Sequence, residues 1–479
     1  MRGRKIVTAI KHLNIYELNS FRKYLTSPYF NRQDILLKYF DILYQDIKKN
    51  KDTEDYSNEE LWESLQPGTP YDDAKLRKFS SDLYKTFESF LAQREFDVDE
   101  YLQMNLKFRG FKNKEIIPLY NGLITQAENL KNKENNRASQ YYLNQFNIER
   151  DILEFKSELE KKDIRTDLSE LLNHEEISFF LDVFYIAEKL KYYCNYLAWS
   201  RSYKIEKKLT GIDIILRLAQ LPQFAERPPV AIYYTLSQAI MEPHNYDHYY
   251  RLKKLIRQNI YLFPEIEVKE ILQQAISYCV VKVNEGVTEF ENEAMEMYKL
   301  ALKSDIFIID GFMSPTTYRN IVFFGLRTGQ FQWVENFIYE YQEKLNPAER
   351  DSNRNFCLAR LEYFKKNFGK VIEHLRDTTY NNVFLSFTAR SLIIISYYEL
   401  DEYDPMDYAL TSFKAYIERE KSLKKERKIG YLNFIKYTKL LTKLMFKPKT
   451  KIQELIHEVK TTNPIVNKEW ILEKIEAQL

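Results

Sequence analysis

His244 and His248 are the residues of this sequence whose spacing comes nearest to that of a metal site. Histidines four positions apart can share one face of a helix, and Glu242 and Asp247 beside them offer carboxylate ligands for zinc. However, Pro243 directly precedes the pair, no cysteine is near, and the general base of a metalloprotease motif is missing. We interpret this segment as the polar start of a helix and expect neither a metal nor another cofactor.

The other residues with catalytic potential are scattered along the chain. Cys194, Cys279 and Cys357 lie in apolar or aromatic surroundings, and their odd number and wide separation favour buried thiols in a reducing compartment. No glycine-rich or GK[ST] phosphate-binding motif is present in the sequence. The densest acidic group wraps around a helix instead of converging, which predicts a solvated face: Glu285, Glu289, Glu291, Glu293 and Glu296. We therefore expect that the protein is not an enzyme.

The strongest local asymmetry of charge lies between Lys421 and Lys451, where eleven Lys and Arg residues accompany one acidic residue. A basic stripe with aromatic neighbours is typical of a surface that binds nucleic acid, anionic lipid or an acidic protein. The candidate contact residues recur at helical spacing or lie among them: Lys428, Lys436, Lys439, Lys443, Lys447 and Tyr437. The alternative, which we favour, is a terminal helix whose lysines are solvated and whose aromatic residues pack inward.

A second candidate for nucleic-acid binding lies near the amino terminus. A short predicted helix at 58–65, the turn QPGTPYDD and a longer predicted helix at 74–91 have the spacing of a helix-turn-helix. These residues resemble the winged-helix domains of some transcriptional activators that also carry tetratricopeptide arrays. The resemblance implies that DNA would be contacted by Lys75, Arg77, Lys78 and Lys85. Two observations favour an ordinary helical hairpin instead, because no strand pair follows to form a wing and aspartates flank the second helix.

These candidates must be positioned by helices, because the chain contains only 11 glycines in 479 residues, against 37 tyrosines and 31 phenylalanines. Ordinary usage of glycine is about 7%. Apolar residues recur at intervals of three or four, as in Leu76, Phe79, Leu83, Phe87 and Phe90, which predicts one buried helix face. Short β-favouring segments such as FIID lack the glycines that hairpins need, so we expect no sheet from them. The predicted fold class is all-α.

The length of the chain and the positions of its prolines and glycines divide it into three predicted regions. A single core stops growing near about 250–300 residues, so 479 residues imply several domains or an extended array. The segment QLPQFAERPP at 220–229 contains three prolines and marks the best boundary. We predict a helical domain at 1–96, a region of long helices at 97–225, and an array of short helices at 226–479 that ends in the basic cap.

The array at 226–479 shows a period. Phe331, Phe368 and Tyr403 each follow a short polar turn, and they lie 37 and then 35 residues apart. An apolar helical segment precedes each turn and a second one follows it. A helix pair that cannot bury its apolar face alone must stack on a neighbouring pair, and a period near about 34 residues is typical of helical repeats.

At these residues the chain resembles tetratricopeptide-type repeat proteins. In that family an aromatic residue opens the second helix and an apolar or small residue follows three positions later. The corresponding pairs here are Phe331 with Val334, Phe368 with Val371, and Tyr403 with Met406. The resemblance covers residues 315–420, with weaker similarity upstream. It implies an extended α-solenoid of stacked antiparallel helix pairs behind the amino-terminal helical domain.

The expected function is non-catalytic protein–protein interaction, in which a scaffold or adaptor binds a peptide or helix of a partner on the repeat surface. Nucleic-acid binding, through the basic stripe or the amino-terminal helix pair, is the alternative. Seventy-one basic and 69 acidic residues nearly cancel, so the overall charge indicates neither class. No apolar run is long enough to span a membrane, and we expect a cytoplasmic protein. The oligomeric state stays open.

Overall fold

The computed structural model describes residues 5–48, 57–133, 135–160, 173–203, 209–376, 378–380, 382–422, 424–444 and 448–479. Nearly all the regular elements that these residues form are helices, which confirms the predicted all-α class. None of the described helices combines the length and apolarity that a membrane crossing requires.

The first half of the chain contains helices of very different length. They are α1 Lys5–Ile10, α2 Ile15–Thr26, α3 Asp34–Lys48, α4 Asn58–Leu65, α5 Asp73–Val98, α6 Glu100–Asn113, α7 Tyr120–Lys133, α8 Ser139–Glu160, α9 His174–Tyr203, α10 Ile212–Leu218, α11 Pro222–Ala225 and α12 Pro228–Met241. A short 3-10 helix at Ile117–Leu119 precedes α7.

The second half continues with α13 Tyr246–Asn259, α14 Glu265–Asn284, α15 Phe290–Leu302, α16 Pro315–Arg327, α17 Phe331–Tyr341, α18 Pro347–Phe364, α19 Phe368–Arg376, α20 Val383–Glu399, α21 Tyr403–Arg419, α22 Lys425–Leu441, α23 Lys449–Thr461 and α24 Lys468–Glu476. Further 3-10 helices lie at Ile260–Leu262 and Gln342–Lys344. The described residues cluster into two compact units, Met1–Tyr192 with Thr210–Ala231 and Tyr193–Leu209 with Ile232–Leu479. The three-region division at residues 96 and 225 stays a prediction.

The first unit has two aromatic cores. In the core of α1 to α5, the ring of Phe21 lies edge-on to Phe40 at 5.0 Å and to Phe87 at 5.5 Å between centroids. In the core of α6 to α8, Phe155 packs against Phe108 at 4.8 Å and Tyr120 at 3.9 Å. Aromatic residues of helices that are distant in sequence therefore meet inside each core, as the helical spacing of apolar residues predicts.

The second unit contains a short β-hairpin that the sequence prediction missed. Strand β1 (Ile308–Ile309) pairs antiparallel with β2 (Phe312–Met313), so the expectation of no sheet at FIID is wrong. The turn between the strands consists of Asp310 with φ 52° and Gly311 with φ 83°. Asp-Gly supplies the two positive φ angles that a tight hairpin turn needs, so one glycine was enough.

Three helix pairs follow the hairpin, and their second helices begin where the period predicts. Phe331, Phe368 and Tyr403 are the first residues of α17, α19 and α21. Three positions later, Val334, Val371 and Met406 are fully buried. The aromatic residue marks the helix start, and the next apolar residue along that helix face enters the core.

The turns within these pairs share one backbone geometry. Two residues before each opening aromatic, Gly329, Lys366 and Asp401 have φ angles of 71°, 60° and 58°. The N–H of the residue that follows donates to the carbonyl five positions back, as in the 2.9 Å bond from Gln330 to Gly325. This is a Schellman motif, which satisfies the last carbonyls of the first helix and reverses the chain.

Neighbouring helices contact one another in chain order from α14 to α22. In addition, the first helices of successive pairs are in direct contact, α16 with α18 and α18 with α20. At the carboxy-terminal end a further core forms, in which Phe387, Phe413 and Tyr431 pack with centroid distances of 4.9 to 5.6 Å. Helix α22 thus joins the array through its aromatic residues.

Candidate functional site

Two cavities of about 170 and 160 Å³ lie along the first helices of the three helix pairs, and both are bordered by Arg319 of α16. The first extends toward the start of α20, and the second lies between α16 and α18. We call this surface the arginine face and define it by six residues that line the cavities: Thr316, Arg319, Phe323, Ser352, Asn353 and Arg360.

Arg319 is held in place by neutral partners. Its guanidinium donates to the Oδ1 of Asn353 and, at 3.3 Å, to the Oγ1 of Thr316. Asn353 is fixed in turn, since it is buried and its Nδ2 donates to the carbonyl of Glu349 at 2.7 Å. Burial lowers the pKa of Arg319, because the charged form loses hydration in this environment. The arginine is therefore oriented without having its charge neutralised by these contacts.

Arg327 and Arg360 both lie near the ring of Phe323. Their guanidinium carbons are 5.6 and 5.8 Å from its centroid, which is within the range of cation–π attraction. Arg327 also has a carboxylate partner, since its Nε lies 2.6 Å from Oε1 of Glu291. Arg360 forms no hydrogen bond or ion pair with any residue that the structure describes. Burial lowers the pKa of Arg360 as well.

The sequence prediction did not select these arginines. Arg319 and Arg360 are 41 positions apart in the sequence, and they line one cavity only because α16 contacts α18. A signal was present in the segment FCLARLEYF, where Arg360 interrupts an apolar run. An arginine inside such a run needs either an acidic partner or a polar cavity, because burying an unpaired charge is costly.

The predicted basic stripe lies mainly on α22. Lys439 and Lys443 are exposed, Lys428 is half-buried, and Lys447 lies outside the described residues. The Nζ of Lys436 is 2.8 Å from Oε1 of Glu458, so one charge of the stripe is compensated. Hydrogen bonds from Lys436 and Tyr437 hold the pKa of Glu458 below its ordinary value.

The aromatic residues of α22 point inward, as our favoured interpretation of the stripe predicts. Tyr431, Phe434 and Tyr437 are all buried. Tyr437 is 1% exposed, and its hydroxyl contacts Oε1 of Glu458 at 2.9 Å. Its inclusion among the candidate contact residues is therefore corrected, because a buried ring cannot stack on a base from the surface. The exposed lysines remain as a basic surface.

The amino-terminal helix pair is formed by α4 and α5. The four candidate residues Lys75, Arg77, Lys78 and Lys85 are exposed. Two of them form ion pairs with aspartates at the start of α5: Lys75 lies 3.7 Å from Asp72, and Arg77 lies 2.6 Å from Asp73. After Asp99, helix α6 follows α5 directly, so the strand pair of a winged helix does not come next in the chain.

The histidine pair lies at the start of α13. His244 precedes the helix and His248 lies in its first turn, where its Nε2 contacts Oε2 of Glu242 at 2.9 Å. Within the described ranges no group of three or more His, Cys, Asp or Glu side chains is placed to hold a metal ion. Burial raises the pKa of the Cys357 thiol to about 12.

The acidic group of Glu285 to Glu296 is a solvated face only in part: Glu285, Glu289 and Glu296 are exposed, whereas Glu293 is half-buried and Glu291 is buried. Glu293 and Glu296 of α15 both contact the Nζ of Lys253 on α13, at 2.6 and 2.5 Å. Glu291 is buried and accepts from Arg327. These glutamates join helices that are adjacent in space, and the sequence spacing alone did not reveal their partners.

No protein-family model, curated protein or solved structure matches this chain. The resemblance of residues 315–420 to tetratricopeptide-type repeats stays a prediction, which depends on the residues named above.

Proposed function

We propose that this chain is a non-catalytic interaction protein, an extended α-solenoid of tetratricopeptide-like helix pairs that binds a segment of another protein along the arginine face. The observation that carries the proposal is the contact of α16 with α18 and of α18 with α20. Because the first helices lie side by side, their outer surfaces continue from one pair to the next. Stacked repeats use surfaces of this kind to bind extended partners.

The chemistry of the arginine face supports the same proposal. Arginine and aromatic side chains are enriched among the residues that dominate the affinity of protein interfaces. Here Arg319 is oriented by Asn353, and two guanidinium groups lie within cation–π range of Phe323. A partner that binds these groups gains contacts with side chains whose positions are already fixed, so it loses less conformational entropy on binding.

Nucleic-acid binding through α22 is the second candidate, and the exposed Lys439 and Lys443 favour it. Since the aromatic residues of this helix are buried, such binding would rely on contacts between lysines and phosphates. Phosphate contacts of this type depend little on sequence and weaken steeply as the salt concentration rises.

Affinity purification of the full chain from the cells that produce it, with and without nuclease, separates the two candidates. We expect a protein partner that remains bound after nuclease treatment. Changing Lys436, Lys439 and Lys443 together to Glu should leave this partner bound. If the recovered partner disappears with nuclease and with the triple change, binding occurs through nucleic acid at α22 and the interaction proposal is wrong.

A further inference from the structure

The cavity between α16 and α18 is lined by two arginines and by several apolar side chains. Arg319 and Arg360 line it together with Val322, Phe323, Leu326 and Phe356. Its volume is about 160 Å³, and a cavity of about 150 Å³ holds a benzene molecule. The cavity therefore admits one small side chain or an aromatic ring, with an ionic group in reach of the arginines.

The positive charge in this cavity is not balanced by the side chains around it. Of the three guanidinium groups nearby, only that of Arg327 is paired with a carboxylate, Glu291. Arg319 donates to an amide and a hydroxyl, and Arg360 has no acceptor among the described residues. Glu349 lies in the lining of the neighbouring cavity, which Arg319 also borders; its charge opposes the effect of burial on the pKa of Arg319, but the two side chains form no ion pair.

A carboxylate fits this arrangement better than a phosphate. The planar guanidinium fork matches a carboxylate in a bidentate arrangement, and the apolar walls can cover the methylene groups that carry it. A phosphodiester group would bring further oxygens into a lining in which, apart from the two arginines, Asn320 is the one residue with a side-chain N–H donor. Most of these oxygens would lie against apolar residues such as Val322 and Leu326. The composition of the cavity therefore selects an acidic group carried on an apolar segment.

We propose that this cavity binds a carboxylate side chain of the partner protein, an acidic residue within an apolar segment, through Arg360 and Arg319. The inference rests on the proposed function and names the chemistry of its partner. Arg360 provides the free donors, and Arg319, which lines the same cavity, is oriented by Asn353.

The probe for the cavity is 4-fluorophenylacetate, compared with its uncharged analogue 4-fluorophenylacetamide by ¹⁹F NMR titration of the full chain. We expect saturable binding of the acid and at least about tenfold weaker binding of the amide, since a charge-assisted bond is lost. Arg360→Gln should weaken binding of the acid by a similar factor. Arg360→Lys keeps the charge but not the fork and should give an intermediate affinity.

Lys370→Gln is the matched control, because it removes one exposed positive charge from α19 without touching the cavity. It should bind the acid as the wild type does. Thermal melting of each variant identifies any loss of folding, and Arg360→Lys provides a second measurement if Arg360→Gln unfolds. Equal binding of acid and amide, or equal binding by wild type and both Arg360 variants, overturns the inference.

A second arm separates this inference from the proposed function. Partners are recovered from the native cells with the wild type, Arg360→Gln and Lys370→Gln. Loss of a nuclease-resistant partner with Arg360→Gln alone supports the inference. Equal recovery with all three chains overturns it and leaves the interaction function in place. If even the wild type recovers no nuclease-resistant protein, the proposed function fails, while the fluorine titration still decides the chemistry of the cavity.

Discussion

Gly325 of α16 should not tolerate even a methyl group, because the helices of the first pair approach closely there. A β-carbon built at this position lies 2.4 Å from Cγ2 of Val334 and 3.4 Å from Cε of Met295. Carbon atoms pack best at about 3.5–4.0 Å, so Gly325→Ala forces the helices apart by about 1 Å. Such overpacking costs about 1–3 kcal/mol, and the better helix propensity of alanine offsets about 0.5–1 kcal/mol. We expect the free energy of unfolding to fall by about 1–2 kcal/mol.

The measurement is urea unfolding followed by the fluorescence of the four tryptophans, among which Trp333 of α17 stacks on Phe337 with 5.4 Å between the ring centroids. Gly369→Ala in α19 is the matched control, since a β-carbon there meets no atom within 4 Å. It should stabilise the protein by up to about 1 kcal/mol. Val334→Ala removes the atom that clashes, so combining it with Gly325→Ala should cost less than the sum of the single changes. Strict additivity, or stabilisation by Gly325→Ala, would refute the described packing of α16 on α17.

Three further changes test other parts of the structure. Lys366→Gly places glycine at a turn position with a left-handed φ of 60°. We expect urea titrations to show a free energy of unfolding that is higher by about 0.5–1 kcal/mol, and a loss of stability would contradict the turn geometry. Tyr437→Phe removes the hydroxyl contacts with Glu458 and Thr462 and should lower the free energy of unfolding by about 0.5–1.5 kcal/mol. Any binding measured at α22 should not change, and a loss of binding would restore Tyr437 as a contact residue. The pKa of Glu458 is lowered in the folded state, so its stabilising effect is present above the ordinary pKa of 4.5 and is lost as pH falls through the folded pKa. Glu458→Gln should therefore make melting temperature less sensitive to acid below pH 4.5, and an unchanged acid profile would show that the contact with Lys436 contributes nothing.

The repeated helix pairs follow from local sequence, which is why they were predictable. The aromatics at Phe331, Phe368 and Tyr403 and the apolar residues three positions later obey helical spacing, and each turn is completed within a few residues. The hairpin at Ile308–Ile309 was missed because its turn needs only Asp-Gly, and overall glycine content says little about one site.

The charged contacts were not predictable in the same way. The partner of Glu291 is Arg327 on another helix, and the cavity at Arg360 depends on residues 41 positions away. Spacing along one helix reports which residues share a face but not which charges the neighbouring helix presents. The buried hydroxyl of Tyr437 shows the same limit, since its contact with Glu458 comes from α23.

Site-specific photo-crosslinking in the native cells tests the interaction claim most directly. Benzoylphenylalanine is placed at Ser352, which borders the first cavity of the arginine face. The control position is Tyr339, a residue that is 52% exposed and lies on α17, the second helix of the first pair. We predict a discrete cross-linked protein from position 352 and none from position 339. Cross-linking to protein from position 339 but not from 352 would contradict the assignment of the arginine face as the partner-binding surface.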